Sequence, residues 1–297
     1  MSTVPGSVVV GVDGSSYSDA ALEWAVDYAV AHHAPLCLVH GAGELGDTLL
    51  PFRADAREQL ETVSHAVTEH SLGLVRDRAP DLEVEVRAPF EDARRALVEV
   101  EQASMVVVGT RGRGTLRSLL LGSVSQAVAA HASCPVTVVR RAEGRDEPGP
   151  GTVVVGVALD GSAQAALDVA FEIASMTGRS LDAVHAWSAH DTFIDPATEA
   201  QKRDVVQAHE RGLAEVMAGY PEKYPDVAVT PRLVDGEPVT ALLAESENAA
   251  HLVVGSRKAR AVRRYVGSVS RSVLERAHCP VTVVHPVPPQ HEKGEHS

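Results

Sequence analysis

The chain has 297 residues, 44% hydrophobic and 23% charged, enough for about two globular domains, each with its own core. A net charge of −13 argues against nucleic acid or an anionic membrane surface as a main partner; no apolar run reaches the ~18–20 residues of a membrane span, and the N-terminus lacks the pattern of a secretory signal. The three cysteines, Cys37, Cys134 and Cys279, make no disulfide framework and read as small buried apolar residues in a reducing, cytoplasmic setting.

In chain order, Ser7–Val12 is a short β-branched run, as expected of a strand buried on both faces of a parallel sheet. A helix follows, with Ser16 and Asp19 spaced like a capping box and Leu22, Ala25, Val26, Ala29 and Val30 on one face. Leu36–His40 is a second strand. Helical character runs from about Phe52 to Arg78, and Leu82–Arg87 alternates as a third strand. Glu91–Gln102 reads as a helix with Ala93, Leu97 and Val100 inward. Met105–Gly109 is a fourth strand, Ser123–His131 a helix and Val136–Arg140 a last strand. Five strands with interleaved helices imply a doubly wound parallel sheet. Ligands of such sheets bind beyond the carboxyl ends of the strands, where strand order reverses.

The whole pattern then repeats. Val8-Val-Val-Gly-Val12, Val39-His40, Gly122-Ser-Val-Ser125 and Cys134-Pro-Val-Thr-Val-Val139 each recur at an offset of 145. Solenoid repeats run ~20–50 residues, so this period marks a duplicated domain. The expected domains are residues 1–141 and 152–286, joined by a glycine-, proline- and charge-rich linker at 142–151. A polar, disordered tail follows at 287–297. His285, His291 and His296 match no established metal spacing, and no metal site is expected.

The loop after the fourth strand, Gly109 to Ser125, carries the chemistry. Glycines let backbone N–H groups approach a ligand closely. Gly122-Ser123 opens a helix whose free N–H groups and dipole suit a phosphate. Ser123 and Ser125 offer hydroxyls, and Arg111, Arg113 and Arg117 offer positive charge. No Lys-Ser/Thr pair follows the glycines, so this is not a Walker loop. Its position excludes the dinucleotide fingerprint. A glycine-rich turn capped by Ser123, with solvated arginines, is the plain alternative.

Gly109-x2-Gly112-x9-Gly122-Ser123 resembles the ATP-binding signature of the universal stress proteins. Val-Gly-Val-Asp13-Gly-Ser, Val39-His40 and the Cys-Pro-Val words agree, and the resemblance covers nearly the whole chain as a tandem member. It implies two Rossmann-like α/β domains of adenine nucleotide alpha hydrolase type. It also implies ATP as ligand, with Mg²⁺ as an optional companion, a cytoplasmic stress or dormancy role, and dimers formed through the final strand. Under it, Gly11, Val12 and Asp13 line the adenine and ribose side, with His40 near the base. Gly109, Thr110, Arg111, Gly112 and Arg113 wrap ribose and phosphates, and Gly122, Ser123, Val124 and Ser125 hold the phosphate tail. His40 also fits a plain strand-end histidine.

The second copy departs from this pattern. Two extra residues, Ala158-Leu159, precede Asp160. Lys258 stands where Gly112 stands, and the loop from Gly255 to Gly267 is one residue shorter than that from Gly109 to Gly122. Gly156, Gly255, Gly267 and Ser268 remain as a degenerate site. The basic cluster Arg257, Lys258, Arg260, Arg263 and Arg264 grips another anion or an acidic partner, or is a solvated loop. The expectation is one good ATP site, in the first half.

No nucleophile–base constellation or paired acidic metal site accompanies the loop. A nucleotide-dependent sensor or regulator is therefore expected, with no catalytic residue. A slow ATPase or phosphotransferase and a nucleotide-free interaction scaffold are the alternatives. The two halves are expected to pair within the chain, and that unit to form a homodimer.

Overall fold

A computed structural model describes residues 4–41, 53–89, 91–112, 121–140, 151–188, 199–256 and 267–285. Arg113, Arg117, the basic cluster of the second loop, residues 142–150 of the linker and the tail lie outside them. The first copy runs β1 (Val8–Gly11), α1 (Ser16–Ala31), β2 (Leu36–Val39), α2 (Arg53–Arg78), β3 (Val84–Arg87), α3 (Ala93–Val98), β4 (Met105–Gly109), α4 (Ser123–His131) and β5 (Val136–Val139). The second runs β6 (Val153–Gly156), α5 (Gln164–Thr177), β7 (Leu181–Trp187), α6 (Glu199–Val216), α7 (Tyr220–Lys223), β8 (Val229–Asp235), α8 (Pro238–Ser246), β9 (His251–Gly255), α9 (Ser268–Arg276) and β10 (Val281–Val284).

All ten strands form one sheet in the order β3-β2-β1-β4-β5-β10-β9-β6-β7-β8. Neighbours within each copy are parallel, and order reverses between β1 and β4 and between β6 and β9. The valine runs are buried because both faces are covered. Val8 and Val10 face a core completed by α1 and α2, while Val9 faces one completed by α3 and α4. Both cores continue across the second copy, with α5 and α6 on the first face and α8 and α9 on the other.

The copies join where β5 meets β10, the sheet's antiparallel pair, in a register centred on Thr137 opposite Thr282. The intramolecular pairing expected from the repeat is thus a strand-to-strand seam. A homodimer of whole chains would have to use other surfaces. The two threonine hydroxyls lie 2.7 Å apart. His251 Nε2 lies 2.7 Å from Thr282 Oγ1, and Thr137 Oγ1 donates to Met105 Sδ at 3.1 Å. Each proton is used once if His251 donates to Thr282, Thr282 to Thr137 and Thr137 to Met105. His251 stacks on Trp24, and burial drives its pKa down to about 3, so it is neutral at pH 7.

Two local expectations are corrected. The cap of α1 is Ser15, not Ser16. Ser15 has extended backbone and its Oγ accepts from Ser18 N at 3.3 Å. Helix α3 is shorter than the span 91–102. Asp92 caps it, accepting from Arg94 N at 2.8 Å, and Gln102 has a φ of +60° that no helix contains. Leu97 and Val100 are nevertheless buried as the periodicity implied. All three cysteines are buried and free of disulfides. Burial raises the Cys37 thiol to about 11 and that of Cys279 to about 12, so neither is a ready nucleophile.

Candidate functional site

The carboxyl ends of β1 and β4 open into a cleft of about 350 Å³. Gly11, Val12 and Asp13 line one side, and Gly109, Arg111 and Gly112 another. Gly122, Ser123, Val124 and Ser125, at the start of α4, form the far wall. Of the expected residues, these ten come together at the point where strand order reverses, the usual binding crevice of such sheets.

Asp13 ends β1 in a turn: its Oδ1 accepts from Ser15 N at 2.9 Å, which starts α1. Gly112 lies directly against that carboxylate, since a Cβ there would sit 2.4 Å from Asp13 Oδ2. A Cβ on Gly109 would sit 2.6 Å from Tyr17 O, a backbone atom that cannot swing aside. Close approach requires glycine at 109, while at 112 a side chain would have to displace the Asp13 carboxylate. Gly122 caps α4 without a side chain. Its N–H donates to Thr110 O at 2.7 Å, which folds the loop's two ends together. The N-terminus of α4, with exposed Ser123 beside it, remains an anion-binding end. Arg111 reaches Tyr17 Oη at 3.4 Å and lies over its ring, which positions a cation on the cleft wall.

Three residues have duties beyond the cleft. The buried hydroxyl of Ser125 donates to Gly109 O at 2.6 Å, so its proton staples α4 to β4. Thr110 is buried outside the lining and its N–H donates to Val139 O at 3.0 Å. His40 is also buried outside the lining. Its Nδ1 lies 2.8 Å from Val12 O. A carbonyl only accepts, so Nδ1 carries the proton and the ring braces the end of β1. Arg113 lies outside the described residues. Ala93 and Leu97 of α3 and Ser18 of α1 line the cleft although loop motifs did not point to them. Ala93 and Leu97 sit one helical turn apart on the inward face, the available signal.

The second copy keeps a cleft of about 210 Å³ at the same place, lined by Gly156, Gly255, Gly267 and Ser268 among others. Asp160 repeats the Asp13 turn, its Oδ1 accepting from Ser162 N at 3.1 Å, despite the two inserted residues. The insertion sends Leu159 onto α6, where Gly212 makes room: a Cβ there would lie 2.9 Å from Leu159 Cδ1. Gly41 presses on the first residue of α3, with 2.4 Å between its would-be Cβ and Ala93 Cα. Ala186 and Pro238 occupy the matching places, and the second cleft is lined by His185. His185 donates from Nδ1 to Val157 O at 2.8 Å, and its Nε2 meets His209 Nδ1 at 2.9 Å. Burial, then the neighbouring His185, lower the pKa of His209.

The chain matches the universal stress protein family twice, over residues 6–140 and 150–285. It belongs to that family. It is 36% identical over 289 residues to the universal stress protein Rv2005c of Mycobacterium tuberculosis, covering 93% of this chain and 96% of the relative. Rv2623 of the same organism is 32% identical over 293 residues, covering 93% and 95%. A universal stress protein crystal structure from Archaeoglobus fulgidus superposes with a TM-score of 0.67 at 22% identity, covering 94% of this chain and 98% of that one. That likeness extends the shared fold to the full tandem. No helix among the described residues is long and apolar enough to cross a membrane.

Proposed function

We propose that the first cleft binds ATP and that the protein is a cytoplasmic nucleotide-dependent sensor or regulator in a stress or dormancy response, with at most slow ATP hydrolysis. The observation that carries this reading is the glycine-lined cleft between β1 and β4, closed by the N-terminus of α4. Asp13 is a hydrogen-bond acceptor suited to ribose hydroxyls and unsuited to phosphate. Gly112 pressed against it is a cradle that any side chain would fill. The phosphate tail belongs at Ser123 and Val124, in the first turn of α4, where backbone N–H groups and the helix dipole favour negative charge, with Arg111 at hand; the Gly122 N–H is engaged with Thr110 O. A Mg²⁺ ion would be held chiefly by the phosphates. The second cleft is the weaker site on this reading. Lys258 replaces the cradle glycine, and its loop is a residue shorter.

Chromatography and intact mass of ligand released from freshly purified protein test the reading. Adenine nucleotide in the extract, and a melting temperature that rises with added ATP, are expected. Absence of both overturns it. Steady phosphate release in ATP and Mg²⁺ that is lost in a Gly112→Ala protein would favour the enzyme instead.

A further inference from the structure

The seam carries a second, reciprocal set of contacts. Arg140, just beyond β5, donates from its guanidinium to Leu274 O in the last turn of α9. His285, just beyond β10 and offset from Arg140 by 145, does the mirror-image task. Its Nε2 lies 3.0 Å from Ala129 O in the last turn of α4. Ala129 and Leu274 are themselves 145 apart. Each copy therefore grips the C-terminal turn of the other copy's cleft helix.

The chemistry of the grip is set by its partners. A carbonyl can only accept, so His285 donates from Nε2. Nδ1 meets Ser256 Oγ at 2.7 Å, and Ser256 follows Gly255 of the second cleft. Carbonyls of a last helical turn lack intrahelical donors, and a donor there complements the negative end of the dipole. Helix α4 has nine residues, hence a rigid rod of roughly 14 Å. Its other end is Gly122-Ser123, the wall of the first cleft.

We infer that His285 is a positioning residue for the first cleft. By holding the C-terminal turn of α4 from the opposite domain, it fixes the helix N-terminus that receives the phosphate tail, and through Ser256 it ties that hold to the rim of the second cleft. This rests on the nucleotide reading above and adds a dependence of one domain's phosphate end on a residue just beyond the other domain's final strand.

The test uses the full chain and two probes, ATP and adenosine, by titration calorimetry. His285→Phe keeps an aromatic ring and removes the donor; His285→Gln keeps an N–H donor. The expected result is ATP affinity about three- to tenfold weaker in H285F, the scale of a helix-terminus interaction, with adenosine affinity within about twofold of the parent and ATP affinity recovered in H285Q. Unchanged ATP affinity in H285F overturns the inference alone. So does an equal loss for both probes, which would mark a general loosening of the fold. If H285F does not fold, His285→Ala takes its place with the same criteria: a loss confined to ATP supports the grip, and unchanged ATP affinity or an equal loss for both probes overturns it. A parent chain that binds neither probe overturns the nucleotide reading and this inference together.

Discussion

At the scale of single residues, Gly112 is the sharpest test of the cleft. A methyl group there would sit 2.4 Å from Asp13 Oδ2. Asp13 cannot simply turn away, because its other oxygen holds Ser15 N. Gly112→Ala should lower the melting temperature of the unliganded protein by no more than the Asp13–Ser15 hydrogen bond contributes, about 1 kcal/mol, and weaken ATP binding by at least about tenfold, or ~1.4 kcal/mol. Calorimetric titration measures it, and parental affinity would remove Gly112 from the cradle. His251 gives a second test, in pH. Its pKa falls from 6.5 to about 3 because it is buried. Between those values the unfolded chain holds a proton that the folded chain refuses, so stability rises with pH across this window. Its contribution is complete above about pH 6.5 and is lost on descent toward pH 3, with a slope approaching ~1.4 kcal/mol per pH unit. Urea unfolding at pH 7, 6, 5 and 4 should show that slope in the parent and a flatter one in His251→Gln, which keeps a donor for Thr282. Parallel slopes would count against it.

At the scale of elements, the link between β4 and α4 is a hydrogen bond present in both copies: Ser125 Oγ to Gly109 O, which is buried, and Ser270 Oγ to Gly255 O at 2.9 Å, which is part-buried. Ser125→Ala leaves a buried carbonyl short of a partner, at about 1–3 kcal/mol. Differential scanning calorimetry should find a melting temperature several degrees lower without ligand, and Ser270→Ala, whose bond is only part-buried, should lower it less. If Ser125→Ala spared the melting temperature and weakened only ATP binding, the hydroxyl would belong to the ligand and not to the fold. The serine itself was readable as part of the Gly-Ser-Val-Ser word; its role was not, because a hydroxyl at a helix start serves a phosphate or a strand carbonyl equally well. The same limit applies to His40, whose place at a strand end was legible while its bond to Val12 O depends on how β1 and β2 lie side by side. Strands were legible because buried parallel strands are unbroken valine runs. The end of α3 was not, since nothing in the residue type announces the positive φ of Gln102. Ala93 and Leu97 entered the cleft through the packing of α3 over β1, which periodicity places inward without saying on what.

At the scale of the molecule, duplication removed an exposed edge. A free β5 would present an apolar strand with unpaired backbone groups, a template for association. In the intact chain β10 covers it, in a register centred on the two threonines. Both strands read Val-Thr-Val-Val, and both follow Cys-Pro, so a second β5 could take the place of β10 without changing a residue of the ladder. An isologous contact of that kind closes on itself and yields a dimer rather than a fibre. The flanking contacts differ only in partner: Met105 would stand for His251, and Arg140 of each copy would reach Ala129 O of the other in place of His285. Residues 1–141 produced alone should therefore sediment as a dimer, dissociating on dilution. Thr137→Lys should abolish the dimer, because two ammonium groups would face each other across the axis with no acidic partner in the ladder. Analytical ultracentrifugation reads both outcomes. A monomeric parent half would mean that the seam needs what the second copy alone supplies, the neutral His251 relay and the His285–Ser256 pair, and that divergence of the two copies reached the interface as well as the clefts.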